Sequence, residues 1–119
     1  MKKLILAGLL IALSSVAVFA DTITLKNGIE PLKNGTMPGM FFKVYISPSG
    51  SDDWGDDLLG NAVVGPGKSM TFDIAVNLNS TTIDIAVIDH FENEYIIYDR
   101  KVRNGATVTI TLADLSEGD

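Results

Sequence analysis

From residue 21 onward, apolar and polar positions alternate with a period of two. Phe42, Val44 and Ile46 alternate with Lys43 and Tyr45, and Met70, Phe72, Ile74 and Val76 alternate with Thr71, Asp73 and Ala75. Ile83, Ile85 and Val87 share one face opposite Thr82 and Asp84, while Val108, Ile110 and Leu112 oppose Thr107, Thr109 and Thr111. Successive side chains of a strand point to opposite faces, so each pattern marks a strand with one buried side. The abundance of Val, Ile and Thr suits a pleated, half-buried surface. With Thr22 to Leu25 and Glu94 to Lys101 the pattern predicts six strands, and a seventh if Ala62 to Val64 also pairs. No long stretch has apolar residues at helical spacing. Asn27-Gly28, Asn34-Gly35 and Asn104-Gly105 accept positive φ and predict tight turns between strands. These features predict an all-β fold: a single small antiparallel β-sandwich of six to seven strands, immunoglobulin-like in size.

Two segments break the alternation. Ile85-Ala86-Val87-Ile88 and Tyr95-Ile96-Ile97-Tyr98 are apolar on both faces. A sheet with one wet face does not read this way, so the second face needs a cover. The expected cover is the segment from Glu30 to Met40, which carries Pro31, Met37, Pro38 and Met40; the alternative is a partner.

The first twenty residues follow a different logic. Lys2 and Lys3 precede the uninterrupted apolar or small run Leu4 to Ala20, which ends in Val18-Phe19-Ala20. A short basic start, an apolar middle and a small-residue exit are the anatomy of a secretory signal peptide, with cleavage expected before Asp21. The domains are then residues 1–20, a signal peptide, and 21–119, the β-sandwich. The expected location is outside the cytoplasm, periplasmic or secreted, with no membrane insertion after cleavage. No basic stop-transfer cluster follows the run, and without Cys the chain has no bacterial lipoprotein anchor.

Composition narrows the function classes. The chain has 119 residues, no Cys and a formal charge of −6, which becomes −8 once the two lysines at positions 2 and 3 are removed. The absence of Cys excludes disulfides, cysteine-ligated metals and thiol chemistry. The acidic balance argues against nucleic acid as a partner, which needs clustered Lys and Arg.

The most distinctive stretch is Ser47 to Gly60, which holds the only Trp and four carboxylates, Asp52, Asp53, Asp56 and Asp57. It is longer than a hairpin needs, and long loops of compact domains often carry function. Oxygen-rich clusters suit Ca²⁺, although the spacing does not match an EF-hand, and a calcium site would have to draw carbonyls or distant carboxylates such as Asp89 and Asp99. The structural alternative has Ser51 and Asp56 capping a single helical turn, Trp54 packing on the end of the sandwich, and Leu58 and Leu59 closing the core.

Within this stretch, Tyr45-Ile46-Ser47-Pro48, Trp54-Gly55, Asp57, Leu59-Gly60 and then Pro66-Gly67 form a pattern, followed by the hairpin strand Asp84 to Asp89. This pattern resembles that of small exported bacterial β-rich proteins of uncharacterised function. The resemblance covers residues 45–99 and implies a compact β-domain without implying a reaction.

Other chemistry is thin. His90 is the only imidazole, and a Ser–His–Asp relay would need it with Asp89 or Glu92, but no nucleophile elbow accompanies it. Gly65-Pro66-Gly67-Lys68-Ser69 ends like a phosphate loop, yet its earlier glycine position is Ala62 and a strand follows. Asn34-Gly35-Thr36 and Asn79-Ser80-Thr81 are sequons that matter only in a glycosylating pathway. The sequence therefore reads as an exported, non-enzymatic binding or structural module of the bacterial cell envelope. Its expected binding residues are Trp54, Asp52, Asp53, Asp56 and Asp57, with no required cofactor, no metal ligand assigned, and an unidentified protein or envelope partner. The alternative is a calcium-dependent binding module using the acidic 51–57 loop.

Overall fold

A computed structural model describes residues 21–30 and 39–116. The expected signal peptide and most of the expected cover, residues 31–38, lie outside the described residues, as does the Asn34-Gly35 turn. The chain is all-β. Six strands, β1 (Asp21–Asn27), β2 (Phe41–Pro48), β3 (Ser69–Ile74), β4 (Ile83–Asp89), β5 (Glu94–Arg100) and β6 (Ala106–Ile110), are followed by a short 3-10 turn at Leu112–Asp114. They form two three-stranded sheets, ordered β3-β1-β6 and β2-β4-β5. Ala62 to Val64 contributes only an isolated bridge between Val64 and Phe41 instead of a seventh strand.

The periodicity explains how the sheets meet. Ile23, Leu25, Phe72, Ile74, Val108 and Ile110 project from one sheet into a single core with Val44, Ile83, Ile85, Val87, Tyr95 and Ile97 of the other. Both inner rows become apolar and both outer rows are left to find another solution, the arrangement of a small β-sandwich. One pairing departs from the expected antiparallel pattern: β1 runs parallel to β6, with Thr24 beside Thr107 and Lys26 beside Thr109. Alternation reports which face a residue takes and carries no information about strand direction.

Local irregularities shift individual residues. A register shift between Phe41 and Lys43 puts Phe41 in the core, fully buried, and leaves Phe42 43% exposed. The Phe42-Val44-Ile46 face expected from alternation is therefore broken by a bulge, which reverses side-chain parity at one point. Leu112 is likewise exposed, because the strand ends at Ile110. There the side chain of Thr111 accepts from Ala113 N–H and Asp114 accepts from Thr111 N–H, starting the 3-10 turn. That turn carries the chain across to the other sheet, where Leu115 bridges Tyr95 and Ser116 N–H donates to Glu94 C=O at 2.7 Å.

The two dipeptides Asn27-Gly28 and Asn104-Gly105 play different parts. Gly105 has φ +85°, the left-handed geometry expected of such a turn. Gly28 instead serves close approach, since a Cβ there would lie 2.5 Å from the Thr109 methyl. Its neighbour Asn27 is fully buried, and its amide donates to Gly39 C=O and Val64 C=O while its oxygen accepts from Ile29 N–H. A buried amide with both ends satisfied ties three chain segments together at the end of β1.

Candidate functional site

The doubly apolar strands β4 and β5 sit in the β2-β4-β5 sheet, and their second face is covered by Trp54. The indole packs with Tyr45 and Ala86 against Ile88 and Ile96, a cluster separate from the main core. Only 3% of Trp54 is exposed, and its ring lies 6.1 Å from that of Tyr98. Among the described residues the cover is thus the chain that follows β2 by a few residues. The expected loop structure changes accordingly. Trp54 lies on the outer face of a sheet, not on the sandwich end, and it is too buried to be the centre of a contact surface. Leu59 does enter the core, whereas Leu58 is 37% exposed.

Asp57 locks this arrangement. Its Oδ1 accepts from Val44 N–H and Leu59 N–H, both at 3.0 Å, while Leu58 N–H donates to Val44 C=O at 2.8 Å. The carboxylate and the following peptide therefore satisfy the outer edge of β2 as a paired strand would. The nearby Asp57 charge is also the second reason, after burial, that the Tyr45 phenol is held above its ordinary pKa. No helical turn forms in the loop; Ser51 Oγ instead donates to Asp53 C=O at 3.0 Å.

The remaining acidic residues are displayed. Asp52, Asp53 and Asp56 are exposed, and Asp52 borders a cleft of about 460 Å³ formed with Ser49, Gly50, Ser51, Asp84, Tyr98 and Asp99. The cleft arises because the β4–β5 register shifts between Ile83 and Ile85, leaving Asp84 against Tyr98 and Asp99. Asp99 adopts φ +54°, unusual for a non-glycine residue. The strands hold together there through Asp84 Oδ1, which accepts from Asp99 N–H and from Ser49 Oγ, both at 2.8 Å. Thr82 Oγ1 donates in turn to Ser49 Oγ at 2.9 Å. Asp84 is only 3% exposed. Alternation placed it on a wet face; the informative signal was its position beside doubly apolar Ile85 to Ile88, whose outer face had to be covered.

The other polar candidates serve the β4–β5 hairpin. Buried Asp89 accepts from Phe91 N–H and Asn93 N–H through Oδ1, and from Tyr95 OH at 2.8 Å and the Asn93 amide through Oδ2. Burial first, and then this bond to a carboxylate, push the Tyr95 phenol well above its ordinary pKa. His90 Nδ1 accepts from Met40 N–H at 2.9 Å and His90 N–H donates to Met40 C=O, so the imidazole docks the chain entering β2. A nitrogen that accepts from a backbone N–H is not donating to a carboxylate, which is the polarity a catalytic relay requires. Among the described residues no group of three or more His, Asp or Glu side chains is arranged to hold a metal ion. The carboxylates proposed for calcium are spread between edge pairing, hairpin closure and solvent. Also among the described residues, no helix is long and apolar enough to cross a membrane.

No protein-family model, no curated protein and no solved structure matches this chain.

Proposed function

We propose that this chain is an exported, non-enzymatic binding or structural module of the bacterial cell envelope, acting after loss of residues 1–20. Export is supported by the sequence alone: the Lys2-Lys3 start, the apolar run and the Val18-Phe19-Ala20 exit. One observation supports the binding reading most. The 47–60 segment is fixed at Trp54 and Asp57, yet it presents Asp52, Asp53 and Asp56 to solvent beside an open cleft. A contact surface built on a locked scaffold loses little conformational entropy when it engages a partner. With a charge of −8 on residues 21–119, the matching partner is cationic: a basic protein segment or an amine-bearing envelope component.

Two measurements test this reading. Mass spectrometry of the protein expressed in a bacterium should find an N-terminus at Asp21 in the periplasmic or culture fraction. The combined substitution of Asp52, Asp53 and Asp56 by Lys should abolish cross-linking to the envelope partner without lowering the melting temperature. An intact cytoplasmic Met1 form removes the export reading, and undiminished cross-linking removes the assigned surface.

A further inference from the structure

The four edges of the two sheets are treated differently. Asp57, Leu58 and Val64 satisfy the edge of β2, and Leu115 and Ser116 cover part of β5. Among the described residues nothing pairs with the outer edge of β3 or β6. The direction of the β3 backbone follows from its entry turn. Lys68 N–H donates to Gly65 C=O, Gly67 takes φ +77°, Gly67 N–H donates to Asn27 C=O and Asn27 N–H donates to Lys68 C=O. This is a glycine bulge that sets the next inward-bonding residues as Met70, Phe72 and Ile74. The N–H and C=O groups of Ser69, Thr71 and Asp73 therefore point away from β1, along an unpaired edge.

The side chains beside that edge are polarised. On the outer face, Asp73 lies in register with Thr22 at one end, while at the other end Lys26 lies in register with the small Ser69. We propose that the β3 edge pairs antiparallel with the β3 edge of a second copy of this chain, Thr71 opposite Thr71 and Asp73 opposite Ser69 in both directions. Asp73 by itself blunts an edge against pairing. In this register it gains a base: the second copy's Lys26 lies two strand spacings away, about 10 Å between backbones, with only Ser69 between. A lysine stem and a carboxylate bridge that gap across so small a residue. Thr71 beside Thr71 is a favourable cross-strand pair, and half-buried Met70 comes to lie opposite the second copy's Phe72. The β6 edge, with only Ala, Thr, Val and Ile, has no such complementarity.

Sedimentation of the purified protein over a range of concentrations tests the pairing. A reversible monomer–dimer equilibrium is expected. Thr71→Pro removes an outward N–H at an edge, where proline is tolerated, so it should leave a folded monomer by circular dichroism. Should that variant unfold, charge reversal still decides. Asp73→Lys and Lys26→Asp should each weaken the dimer roughly 10-fold or more, and the double variant should restore it. A monomer at every concentration overturns the proposal. So does a dimer that survives Thr71→Pro, a pair of reversals without mutual rescue, or a different protein occupying the edge.

Discussion

The two outer faces of the sandwich solve the same problem in opposite ways. On the β3-β1-β6 sheet the outer row is Thr71, Thr24 and Thr107, flanked by Asp73, Lys26 and Thr109, and it needs no cover because it is polar. Thr24 and Thr71 even share a hydroxyl–hydroxyl contact of 2.7 Å. On the β2-β4-β5 sheet the corresponding positions are Tyr45, Ala86, Ile88 and Ile96, and the chain invests a long segment to hide them under Trp54. A sheet covered on both sides is a place where a loop can be fixed firmly, and it is there that the acidic residues and the cleft are displayed. The displayed carboxylates and the cleft thus sit on the segment that the apolar outer row of β4 and β5 required as a cover.

Removing the cover should have the largest effect. Trp54→Ala should lower stability by ~3–5 kcal/mol in urea unfolding, as large-to-small changes in packed sites do. Asp57→Ala should come next. It frees the Val44 and Leu59 amides, at a cost of ~1–3 kcal/mol in the same assay. An effect as small as that of a surface change would mean the loop is not locked.

Alkaline titration probes the covered sheet specifically, because the two buried phenols belong to it. Tyr45 and Tyr95 are both held above their ordinary value, chiefly by burial. In the unfolded chain each phenol ionises near pH ~10, whereas the fold keeps it neutral. The stability tied to neutral phenols is therefore fully present below that pH and is lost as pH rises through the raised folded values. Tyr95→Phe should flatten this alkaline fall, measured as unfolding free energy against pH, and should also remove the bond to Asp89.

The bare face supplies the smallest expected effect. Thr107→Ala, at an exposed position of that face, should change stability by no more than ~0.5 kcal/mol, the range of ordinary surface substitutions. Millimolar calcium should leave the melting temperature of the wild-type protein unchanged, since among the described residues the carboxylates do not converge. A calcium-dependent rise abolished by Asp53→Ala would instead favour the calcium-binding reading.

Much of the architecture was legible from alternation alone. The alternation at Phe72, Ile74 and Val76, and at Val108 and Ile110, matches the buried rows residue by residue. The doubly apolar strands correctly announced a second covered face. What alternation hides is anything that changes parity or direction. The bulge exchanging Phe41 for Phe42, the parallel β1–β6 pair and the register shift behind the cleft all depend on nonlocal hydrogen bonding. The site was half legible for the same reason. Four aspartates in six residues look alike in sequence, but only Asp57 meets the free edge of β2, and that edge exists only once the sheet has formed. Asp84 was hidden because its burial comes from neighbours on other segments, Ser49 and Asp99.

Because Trp54 is the only tryptophan, its fluorescence reports directly on the cover. In the folded protein the indole emission should be blue-shifted relative to the unfolded chain and poorly quenched by iodide. Emission like that of the unfolded chain, with full access to iodide, would mean that Trp54 does not close the second face and that the 47–60 segment is not anchored there.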